Sequence, residues 1–178
     1  MAAYRTNLNR PGWQALVLFA AGFWLSISLC IDLLVMPSLY TAGMMTQANF
    51  ATAGYEMFWW FNRVELICAG SVLTGLLVLR QGQDSFSVIV SGVRSRWAVG
   101  LGLVLLAIAA CYTYWLTPEM SALGLQLSAL TESASATPVL PAEMNLMHGL
   151  YWGLELVKLL SAAALLRFCY RDMLPTAS

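Results

Sequence analysis

Apolar residues run almost without interruption from Trp13 to Met36, Phe58 to Leu79, Trp97 to Leu116 and Asn145 to Leu166. At 1.5 Å per residue, about 20 residues of helix cross a hydrocarbon core of about 30 Å. No run shows the period-2 alternation of a membrane β-barrel. Backbone groups in lipid must be satisfied within their own segment, so each run reads as a transmembrane helix. The pattern predicts an all-α, polytopic membrane four-helix bundle: a single membrane domain over 1–178, with helices at about 13–36, 58–79, 97–116 and 145–166. Proline lacks an N–H and clashes with the preceding turn, so the first helix is expected to end at Pro37 and the third at Thr117-Pro118. The first run is longer than the apolar core of a signal peptide, about 7–15 residues, and is expected to be retained.

Residues 37–57, 80–96 and 117–144 connect the helices. Ser128 to Pro141 is rich in Ser, Thr, Ala and Pro and reads as loop. Before it, Met120, Leu123, Leu127 and Leu130 share one helical face, which predicts a short helix lying in the membrane interface. Arg5, Arg10, Arg80, Arg94, Arg96, Arg167 and Arg171 all fall in the two tails and the 80–96 connection, and the other two connections carry no basic residue. Such an asymmetry puts both termini on the cytoplasmic side, or the stromal side of a thylakoid. The expected location is the plasma or thylakoid membrane. Tyr55, Trp59, Trp60, Tyr112, Tyr114, Trp115, Tyr151 and Trp152 then crowd the outer interface.

Composition agrees: 60% of residues are hydrophobic and 10% charged, where a soluble domain carries about 25%. Net charge is zero, so the lipid bilayer and a larger membrane complex are the expected partners, and nucleic acid is not. Cys30, Cys68, Cys111 and Cys169 form no CxxC pair and read as small apolar residues rather than redox or metal groups.

Charges inside a bilayer are costly, and each asks for a reason. Asp32 falls about one turn from the outer end of the first helix. Asn62 and Glu65 are three apart on the second. His148, Trp152 and Glu155 share a face of the fourth, with Lys158 one turn below Glu155. One reading is structural: Glu155 pairs with Lys158, and Asp32 or Glu65 with Arg63. The other is a ligand or cation pocket of Asp32, Asn62, Glu65, His148 and Glu155, open to the outer side. Three carboxylates against two cations favour a bound cation or a protonated carboxyl. No catalytic residue and no cofactor follow from the pattern.

Met36, Met44, Met45, Met57, Met120, Met144 and Met147 all belong to the outer half. Thioethers with an imidazole suit Cu(I), but methionine also packs adaptably, which is the favoured reading. His148 is the single histidine, so a haem could not take two histidines from one chain. Gly149 and Gly153 form a GxxxG, read as helix packing within the chain rather than dimerisation. P-loop, nucleophile-elbow, HExxH and dinucleotide motifs are absent.

Tyr112-Thr-Tyr-Trp-Leu-Thr-Pro118-Glu119-Met120, Met147-His148-Gly149-Leu150, and Gly22-Phe-Trp24 through Asp32 to Pro37 resemble motifs of the transmembrane-protein-205-like family, small four-helix membrane proteins of unknown function. Phe61-Asn62-Arg63-Val64-Glu65 is most similar to cyanobacterial members. Glu119 departs from the basic residue that often follows Thr-Pro in that family. The resemblance spans roughly 13–166 and implies the fold without a reaction. Three functions follow as expectations: an accessory or assembly protein of a membrane complex; a handler of a small solute, ion or metal such as copper; and a tetrapyrrole-linked redox enzyme. The balance is towards a non-enzyme.

Overall fold

The structure, a computed structural model, describes residues 10–44, 47, 49–81, 96–133 and 142–173. Arg5, Arg94, Met45 and the end of the predicted loop at 134–141 lie outside the described residues. The described residues are helical, with no strand among them. Helix α1 (Arg10–Cys30) passes through a π-helical turn (Ile31–Val35) into α2 (Met36–Thr41). Helix α3 covers Phe50–Gln81. Helix α4 (Arg96–Cys111) passes through a second π-helical turn (Tyr112–Leu116) into α5 (Thr117–Ser133), and α6 covers Ala142–Met173. Four stretches are long and apolar enough to cross a membrane, Gly12–Thr41, Phe50–Gln81, Arg96–Leu127 and Ala142–Asp172, each holding an 18-residue segment of mean hydropathy 2.1, 1.5, 1.9 and 1.4 respectively.

Neither proline ends its helix, contrary to the sequence reading. Met36, directly before Pro37, donates its N–H to the Ile31 carbonyl, and Thr117, directly before Pro118, donates to the Tyr112 carbonyl. Both are bonds to the fifth residue back. A π-helical turn widens the helix by one residue and takes up the disturbance that a proline imposes, so the rod continues. For the same reason Met120 and Leu123 belong to α5, continuous with the third spanning helix, and not to a separate interfacial helix.

Neighbouring helices run antiparallel in a ring. The first spanning helix packs on α3 and α6, and the third packs on the same two. Gln14 Nε2 donates to the Cys169 carbonyl (3.1 Å), so the start of α1 and the end of α6 lie at one end of the bundle. Close approach of α1 and α3 depends on Gly75, where a Cβ would stand 2.5 Å from Val17 Cγ2. The core is apolar towards the terminal end, where Val17, Ala21, Ala69, Val72, Leu76, Leu105, Ala109 and Leu165 are buried. The outward surface is equally apolar, with Phe19, Ile67, Trp97, Leu103, Leu156 and Leu160 exposed. A protein in water hides such side chains, whereas lipid favours them.

The two paired glycines do not serve the packing expected of them: a Cβ at Gly149 or Gly153 meets nothing within 4 Å. Met120 and Met147 pack against the buried cluster of Ile108, Tyr112 and Leu116. All four cysteines are free, Cys68 and Cys169 being buried.

Candidate functional site

Midway along the bundle the apolar core gives way to charge. Glu65 stands at the middle of α3 and Lys158 at the middle of α6, and Asp32, Glu65, Glu155 and Lys158 are all buried. Lys158 Nζ donates to Glu65 Oε1 and also contacts Glu155 Oε2 (2.7 Å). One ammonium thus bridges two carboxylates from two helices. Trp24 Nε1, from α1, donates to the same Glu65 oxygen (2.8 Å). The ammonium also faces the rings of Tyr112 (5.3 Å) and Phe61 (5.5 Å), whose π clouds favour a cation.

From Lys158 the network climbs away from the terminal end. Tyr112 Oη donates to Glu155 Oε2 (3.2 Å) and to the Tyr151 carbonyl (3.0 Å). The two tyrosine rings stack at 5.1 Å. Tyr151 Oη donates to Asp32 Oδ1 (3.2 Å). Every spanning helix contributes: Trp24 and Asp32 from the first, Glu65 from the second, Tyr112 from the third, and Tyr151, Glu155 and Lys158 from the fourth. Asp32 and Tyr112 each sit on one of the two π-helical turns. A π turn rotates the residues after it relative to a regular helix and is frequent where a side chain must be aimed.

The charges do not balance. Three buried carboxylates face one buried ammonium. Each carboxylate keeps one buried oxygen with no hydrogen-bond partner: Asp32 Oδ2, Glu65 Oε2 and Glu155 Oε1. Ser28 Oγ, one turn before Asp32, is likewise buried and unpartnered. An ionised carboxylate whose oxygen lacks a donor in a low-dielectric core costs several kcal/mol. The arrangement therefore has room for two more positive charges at atoms already in place.

The sequence-predicted residues divide. Asp32, Glu65 and Glu155 share one network, and the Glu155–Lys158 contact is present, although Lys158 also serves Glu65. Asn62 lies beside the network and not in it: its Nδ2 donates to Thr117 Oγ1 (2.7 Å), joining α3 to α5. Thr113 Oγ1 donates to the Ala109 carbonyl (2.8 Å) in the same region. Arg63 pairs with neither Asp32 nor Glu65. Its guanidinium lies 3.2 Å from the Trp59 ring centroid and donates to the Trp59 carbonyl (2.9 Å).

His148 is a correction to the expected pocket. It is exposed, and its Nδ1–H donates to the Met144 carbonyl (2.8 Å), one turn back in its own helix. Met147 and Tyr151 face the core at this level, and one residue is a rotation of about 100° around a helix. Trp152, expected on the same face, is also exposed. Sequence reasoning missed Trp24, Tyr112 and Tyr151, having treated the tyrosines as interface aromatics. The available signal was the spacing of Tyr151, Glu155 and Lys158 and of Trp24, Ser28 and Asp32, each set on one face of its helix.

Among the described residues no group of three or more His, Cys, Asp or Glu side chains is arranged to hold a metal ion. No protein-family model, curated protein sequence or solved structure matches the chain.

Proposed function

We propose that this membrane protein handles protons, alone or together with a small solute, through the buried network of Asp32, Tyr151, Tyr112, Glu155, Lys158 and Glu65. The charge imbalance carries the reading: the network holds three buried carboxylates and one ammonium, which meets only Glu65 and Glu155, and each carboxylate presents an unpartnered buried oxygen to which a proton can attach. Intramembrane carboxylates linked by hydroxyls are the material of proton relays. A proton can pass between Glu65 and Glu155 through the Lys158 ammonium that meets both. The Tyr151 hydroxyl ends on Asp32 and the Tyr112 hydroxyl on Glu155, so passage between Asp32 and Glu155 needs a side-chain rotation or a water between the two hydroxyls. The three carboxylates do not converge on one point: Glu65 and Glu155 meet at Lys158 and Asp32 is held apart by Tyr151, which favours protons over a coordinated metal.

The orientation belongs to the same proposal. The seven basic residues of the tails and the 80–96 connection support termini on the cytoplasmic or stromal side. Asp32 and Tyr151 then lie nearer the outer side, and Glu65 and Lys158 lie at mid-depth. The resemblance to the transmembrane-protein-205-like family is compatible with this orientation.

The test is proton entry into vesicles. The full chain is reconstituted with a pH-sensitive dye inside and a potassium-diffusion potential imposed. Wild type should acidify the interior faster than empty vesicles, and Glu65→Gln and Tyr112→Phe should slow it. Rates equal to those of empty vesicles, both without solute and with small solutes supplied outside, would refute the reading. An accessory role beside a larger membrane complex draws on a separate observation, the exposed aromatics Trp60, Tyr114, Trp115 and Trp152. Co-purification from native membranes in mild detergent tests it.

A further inference from the structure

Away from the carboxylates, α3 and the third spanning helix enclose a cleft of about 160 Å³. Tyr55, Trp59, Asn62 and Arg63 line it from α3, and Thr113 and Thr117 from across. We infer that this cleft is a binding site for a small oxyanion, a carboxylate or phosphate, whether free or carried as a lipid headgroup.

The cleft is lined by donors. Arg63 lies well inside a membrane-spanning helix and makes no ion pair among the described residues. It uses one N–H on the Trp59 carbonyl, and a guanidinium has five. Thr117 Oγ1 accepts from Asn62 Nδ2, so its own O–H is left to donate. Tyr55 lines the same space. No carboxylate lines the cleft, so nothing there supplies the negative charge that Arg63 lacks. A guanidinium beside the Thr117 hydroxyl matches the donor needs of a carboxylate or phosphate. The cleft has room for such a group. The Arg63 guanidinium carbon lies 3.2 Å from the Trp59 ring centroid, a contact that with the bond to the Trp59 carbonyl restrains the group before a ligand arrives.

The cleft also adjoins the proton network. Thr113 lines it, and Tyr112, the preceding residue on the same π-helical turn, holds Glu155. Asn62 lines it, and Glu65 follows one turn later on α3. Binding at the cleft nevertheless needs no proton movement, so this site and the proton reading stand or fall separately.

The experiment has two arms, both with the full chain in detergent micelles. In one, inorganic phosphate is titrated calorimetrically. In the other, phosphatidylglycerol or phosphatidylcholine is added and retained lipid is counted by native mass spectrometry. Saturable phosphate binding identifies a free oxyanion as ligand. Selective retention of phosphatidylglycerol, whose headgroup phosphate carries the net charge, identifies a headgroup. In whichever arm binding occurs, Arg63→Gln should weaken it by roughly tenfold to a hundredfold, the loss of a charge-assisted hydrogen bond. Arg63→Lys keeps the charge without the planar fork and should weaken it several-fold, which preserves the test if the glutamine variant does not fold. Binding in neither arm, or binding unchanged in the folded variants, would overturn the inference.

Discussion

Replacing Lys158 by methionine should be among the most damaging single changes available in this chain. Methionine fills nearly the same volume, so the packing is kept and the charge alone is lost. Lys158 is almost completely buried and meets Glu65 and Glu155 together. Its removal leaves two carboxylates in the core without a cation. Breaking one buried pair costs about 3–5 kcal/mol, and here one ammonium serves two partners, so at least the upper end of that range is expected. Rescue distinguishes this geometry from a simple pair between Lys158 and Glu155. If only that pair mattered, Lys158→Met with Glu155→Gln would restore most of the stability. With Glu65 also bound to the ammonium, the double variant should recover part, and adding Glu65→Gln should recover clearly more. Unfolding in mixed micelles with increasing dodecyl sulfate, followed by helical circular dichroism, gives the comparison. A double variant as stable as the triple would refute the shared-ammonium arrangement, as would a single variant as stable as wild type.

Tyr112→Phe removes a hydroxyl that donates both to Glu155 and to the Tyr151 carbonyl, and should cost about 1–3 kcal/mol in the same unfolding assay, with hydrogen bonds to a charged group near the upper end. Gly75→Ala drives a Cβ against Val17 Cγ2; overpacking of this kind costs about 1–3 kcal/mol, and Val17→Ala in the same chain should return part of it. Gly149→Ala and Gly153→Ala meet open space and should leave stability unchanged or raise it by up to about 1 kcal/mol each, since alanine favours helix. A large loss there would mean that this face is covered.

The number of spanning helices was legible because lipid imposes a simple rule: an unbroken apolar run of sufficient length. What happens at Pro37 and Pro118 was not. A proline signal is local, and whether it ends a helix or is absorbed in a π-helical turn depends on whether neighbouring helices reward continuing. Here continuation aims Asp32 and Tyr112 into the core. At the site, the cost of a buried charge identified Asp32, Glu65, Glu155 and Lys158 from the sequence alone. The partners were harder to read. Tyrosine and tryptophan are abundant at both membrane interfaces, so Trp24, Tyr112 and Tyr151 carried no distinguishing mark. His148 misled for the opposite reason. A lone imidazole draws attention by its chemistry, but its neighbour Met147 takes the inward direction.

The infrared spectrum of the full chain in lipid, recorded at neutral pH and again after exchange into deuterated buffer, tests the proton network most directly. A protonated carboxyl has a C=O stretch well separated from the bands of carboxylates and of the helical amides. Three buried carboxylates beside a single ammonium should give such a band, shifted by deuterium and weakened in Asp32→Asn, Glu65→Gln or Glu155→Gln. Absence of the band from wild type, or its persistence unchanged in all three variants, would contradict a network that holds protons.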